Sequence, residues 1–105
     1  MDLALFLSTL KGEGMRALYD EGNRMDGAAL DSATCQARLA QLDALGEVVL
    51  AHYERHAAVS RPRVALWEAC YLFTLMLHCW ARVQPVRMTY ILMLLERHGR
   101  ATGLW

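Results

Sequence analysis

Two histidines, His52 and His56, stand four residues apart in the string HYERH. On a helix this spacing places both imidazoles on one face, which is how helical metal sites begin. The string is not HExxH, because Tyr53 and not an acid follows the first histidine. His78, Cys79 and His98 are the other ligand types, and all are distant in sequence. Histidines near a helix end also favour its C-terminal dipole. His52 and His56 are therefore weak metal candidates, and no metal or cofactor is expected.

His78 and Cys79 are the residue types of a base and a nucleophile. Neighbours on a helix diverge by about 100° and do not face each other. No third group or oxyanion donor is recognisable beside them. The chain shows no catalytic motif and no nucleotide loop, and is expected not to be an enzyme.

Glu68 is the one acid inside an apolar run, Val64–Trp80. A buried carboxylate must be paired or protonated. Arg63, Arg87 and Arg97 are its expected partners, in a structural or interface ion pair. Arg61, Arg63, Arg82 and Arg87 cluster around the ends of that run and the start of the next helix. A DNA-reading helix would present a polar, basic face. Here Met88, Tyr90, Ile91, Leu92, Met93, Leu94 and Leu95 crowd the last helix, so nucleic acid is not the expected partner. Trp67, Tyr71, Phe73, Leu75, Met76, Trp80, Met88, Tyr90 and Met93 supply aromatic, methionine and leucine side chains for a protein interface or a core. Aromatics and Met are enriched at interfaces, and an obligate interface resembles a core cut in half.

The elements that must position these residues are helical. At 105 residues there is room for one domain, 1–105. The hydrophobic share of 55% exceeds the ~45–50% of soluble domains. A small chain with surplus apolar residues goes to a membrane or to a partner. Net charge is zero but uneven: residues 1–54 carry nine acids and four bases, and residues 55–105 carry seven arginines and two acids. The two halves are expected to attract each other within or between subunits. Three cysteines, Cys35, Cys70 and Cys79, make neither a CxxC nor an even disulfide set. They read as free thiols of a reducing cytoplasm. The N-terminus has an acid at position 2 and a short apolar stretch, Leu3–Leu7, unlike a secretory signal. Val64–Trp80 falls short of the about 20 apolar residues of a membrane span and contains Glu68, Thr74 and His78.

Periodicity predicts four helices. The first covers about Asp2–Tyr19 on Leu3, Phe6, Leu7, Leu10, Gly14 and Leu18. Gly12 and Gly14 weaken it, or mark where another backbone passes close. Glu21–Leu30 reads as a loop. The second begins at Asp31 or Ser32; with Asp31 as its cap, Leu30 and Cys35 form the staple. Its seam is Cys35, Leu39, Leu42, Gly46, Val49 and Tyr53, widened by Leu45 and Val48, with an end near Ala58. The third opens at Pro62 and runs to about Val83, apolar on every face and so expected to be surrounded. The fourth spans Pro85–His98 with Gly99 as its stop.

The expectation is an all-α bundle of three long helices plus an N-terminal helix, dimeric through the third and fourth. In function it is a small non-enzymatic bacterial regulator or adaptor in the cytoplasm, acting on another protein. Concrete forms are an anti-activator masking a transcription regulator's dimerisation surface and a small secretion chaperone. The alternatives are a metal or ligand sensor using His52 and His56, and a DNA-associated factor using the arginine-rich C-terminal half.

Overall fold

The structure is a computed structural model and describes residues 3–24 and 32–105. The described residues form four α-helices and no strand: α1 Leu3–Arg24, α2 Ser32–Glu54, α3 Arg61–Ala81 and α4 Pro85–Thr102. The all-α bundle measures 47 × 27 × 26 Å. Helix α1 packs on each of the other three, and α3 and α4 form a closely packed hairpin.

Helix α1 does not break at its glycines and runs past Tyr19 to Arg24. A Cβ on Gly14 would come within 2.5 Å of Leu42 Cδ2, so α2 presses on α1 there. Arg38 on α2 donates to the Gly14 carbonyl at 2.9 Å. Gly46 gives the reciprocal space on α2, where a Cβ would stand 3.5 Å from Lys11 Cε and 3.7 Å from Leu7 Cδ2. Close packing thus offsets the helix cost of glycine, ~1 kcal/mol at each site. The expected loop is shortened, since residues 21–24 are helical. Its remainder, with Asp31 and Leu30, lies outside the described residues.

Helix α2 buries Cys35, Leu39, Leu42 and Gly46, and half-buries Val49 and Tyr53. Leu45 and Val48 do not widen this seam; both are exposed. The helix stops at Glu54, short of Ala58, where a turn closes with Ala57 N–H on Tyr53 O at 2.9 Å. Met15, Leu18, Leu39, Leu42, Leu72, Cys79, Tyr90, Ile91 and Leu94 make the core. Tyr19 and Tyr90 lie against each other with ring centroids 5.2 Å apart. Burial raises both phenols above their ordinary value, with Cys35 adding to the shift at Tyr19.

Two helix ends share one geometry. After α4, Gly103 takes φ 75° and Leu104 N–H reaches back to Gly99 O at 2.9 Å. After α3, Val83 takes φ 53° and Gln84 N–H reaches back to Cys79 O at 2.9 Å. This left-handed stop suits glycine; in a β-branched residue it costs of order 1–3 kcal/mol. Helix α4 therefore ends at Thr102, one turn beyond the expected His98. Gly99 sits inside it, in the space its missing side chain leaves to the Trp105 indole.

Candidate functional site

The buried charge on α3 is held by residues other than the arginines expected for it. Lys11 Nζ stands 2.7 Å from Glu68 Oε1, and His98 Nδ1 stands 3.2 Å from Oε2. Their side chains are 11%, 4% and 5% exposed. At Oε1 the ammonium is at ion-pair distance without hydrogen-bond alignment. His98 Nε2 lies 2.7 Å from the Ala65 carbonyl, which can only accept, so Nε2 carries a hydrogen. The aliphatic stem of Lys11 reaches the site across Gly46. Three helices, α1, α3 and α4, thus converge on one carboxylate.

Of the arginines expected at Glu68, Arg97 is engaged elsewhere. Arg97 pairs with Asp43 and also meets Gln36. Arg61 binds Glu47 at 2.8 Å and Glu54 as well. Its hydrogen bond holds the Glu54 carboxyl below the ordinary range, and the two carboxylates push the guanidinium up. These ties join the acidic half of the chain to the basic half. The lysine at Glu68 was hidden from sequence reading because it lies 57 residues away, in the acidic half of the chain.

The triad fixes which face of α3 turns inward. Glu68, Leu72 and Cys79 are buried. The opposite face is also apolar, but open: Leu66 is 52% exposed, Phe73 49%, Leu77 51% and Trp80 74%. Cys70 shares that face and is exposed. The spacings from Leu66 through Cys70, Phe73 and Leu77 to Trp80 are 4, 3, 4 and 3, the seam of a helix that packs on another helix. Trp67 flanks the seam at 52% exposure, and Val83 and Val86 extend it past the turn at 82% and 54%. A helix apolar all round is here surrounded on one side only.

The nine interface candidates divide accordingly. Trp67, Phe73 and Trp80 are exposed. Tyr90 belongs to the core, and Leu75, Met76, Met88 and Met93 pack against it partly buried. Tyr71 is half-buried, with its ring 6.4 Å from Trp67. Leu66, Cys70 and Leu77 complete the open seam; their heptad spacing was visible in the sequence, but which side of α3 faced outward was not.

His52 and His56 meet edge-on with ring centroids 4.9 Å apart, both exposed, at the end of α2 and in the turn after it. No group of three or more metal-ligating side chains forms among the described residues. His78 is exposed while Cys79 is 1% exposed, so the two point apart. By length and composition α3 is one helix that could cross a membrane, and little of it is buried. The chain matches no protein-family model, no curated protein and no solved structure.

Proposed function

We propose that this chain is a non-enzymatic regulator or adaptor that works by binding an amphipathic helix on the outward face of α3. The supporting observation is the open seam Leu66–Cys70–Phe73–Leu77–Trp80, backed by a helix whose other side is anchored in the bundle. Such a face matches a helix-in-groove contact, read by anchors at i, i+3 or i+4 and i+7. Exposed apolar patches of this kind mark interaction sites more than accidents. An anti-activator covering a regulator's dimerisation helix and a small secretion chaperone are both concrete forms of this activity.

Affinity capture from the native host tests the reading, with Leu77→Glu as control after circular dichroism has verified its helical content. We expect at least one protein to be held by the natural sequence and lost by the variant. Identical capture by both would remove α3 as the working surface.

A further inference from the structure

We infer that the helix taken by this face is α3 of a second copy of the chain, packed antiparallel; the inference rests on the reading of α3 as a helix-binding surface. Size is the first argument. The chain exposes 6916 Å², against roughly 6,000 Å² for a folded monomer of its mass. The excess is a property of the whole chain, and the open seam of α3 contributes to it, with Leu66, Phe73 and Leu77 each about half exposed and Trp80 74% exposed.

The second argument is register. The seam extends one step toward the N-terminus to the exposed Arg63, giving Arg63, Cys70 and Leu77 at one heptad position and Leu66, Phe73 and Trp80 at the other. Two such helices laid antiparallel pair each residue of one set with one of the other. Leu66 then faces Leu77 of the copy, Cys70 faces Phe73, and Arg63 faces Trp80. Each layer recurs by two-fold symmetry, as an isologous contact requires. The small Cys70 meets the large Phe73, so the layers fill evenly. A guanidinium over an indole is a cation–π contact, with Trp the best ring for it.

A parallel pair has none of this. It sets Arg63 against Arg63 and Trp80 against Trp80, with both helix dipoles aligned. Between Arg63 and Arg82 the outward face carries no charge, the only charged residue in that stretch being the buried Glu68. The net charge of zero adds no long-range repulsion between copies.

Cysteine cross-linking tests both association and direction. Leu66→Cys and Leu77→Cys are each made with Cys70→Ser, while Cys35 and Cys79 remain buried. In the antiparallel pair, position 66 faces 77 and lies eleven residues, about 16 Å, along the axis from its own twin. A disulfide needs Cα atoms within about 7 Å. Light scattering of the natural chain should report about twice 11.9 kDa. After mixing under reducing conditions and mild oxidation, covalent dimer should form between the two variants and with neither alone. Phe73→Glu should give a folded monomer by circular dichroism and light scattering.

A monomer of the natural chain at tens of micromolar overturns the inference, as do self-cross-linking of each variant alone and a Phe73→Glu protein that stays dimeric. A monomer that floats with phosphatidylcholine vesicles overturns it in favour of lipid. A monomer that still captures a host protein overturns the self-pairing and leaves the binding function standing. A cross-linked dimer that captures nothing does the reverse.

Discussion

Replacing Glu68 by Gln keeps the shape of the side chain and removes its charge. It leaves the Lys11 ammonium, with a side chain only 11% exposed, without a counter-ion. Breaking a buried pair from one side costs about 3–5 kcal/mol, because the stranded charge stays out of water. A chain of this length has about 5–15 kcal/mol of stability in all. The loss should therefore lower the urea midpoint by about 2 M or more at a slope near 1.5 kcal/mol/M. Lys11→Met strands the carboxylate and should cost a similar amount. The double variant Lys11→Met/Glu68→Gln removes both charges, and should lose less than the sum of the single changes by about 1–3 kcal/mol. Circular dichroism in urea, at one fixed protein concentration, measures all four proteins. Additivity within about 0.5 kcal/mol would show that Lys11 and Glu68 do not act as a buried pair, and would remove the reason given for which face of α3 turns inward.

Leu72 is fully buried, so Leu72→Ala should cost ~2–5 kcal/mol in the same assay; a loss below about 0.5 kcal/mol would misplace the core. Val83→Gly relieves the left-handed strain at φ 53° of a side chain that is 82% exposed, and should raise stability by about 1 kcal/mol, with an unchanged or lower melting temperature counting against strain. Arg61 holds Glu54 below its usual range, so this contribution is present at neutral pH and fades as pH falls through the carboxylate range. Arg61→Ala should return Glu54 to an ordinary carboxyl titration by NMR, and an unmoved titration would contradict the assigned cause. Tyr19 and Tyr90 are raised by burial, so the native state keeps protons that the unfolded chain releases, and stability should decline as pH rises past about 10.

Much of the fold was legible in residue pattern. The 3/4 spacing of α2 marked Leu39, Leu42 and Gly46 as its inward face, and all three are buried. Pro62 and Pro85 marked the starts of α3 and α4 because proline loses nothing in a first helical turn. Helix ends were less legible. Gly99 looked like a stop, but a glycine can serve backbone turning or close packing, and only the position of Trp105 showed which. Val83 carries no sequence signal for the left-handed turn it makes.

The sequence by itself determined that α3 is a long apolar helix with one acid in it, since both follow from composition and period alone. It could not choose which side of that helix faces the core, because apolar residues lie on every side and local pattern is then silent. Nor could it choose the partner of Glu68, because opposite charges attract across any sequence separation once packing brings them together. The tertiary structure decided both at once. Lys11 and His98 meet Glu68 between α1, α3 and α4, which turns Leu72 and Cys79 inward and leaves Leu66, Phe73, Leu77 and Trp80 to the outside.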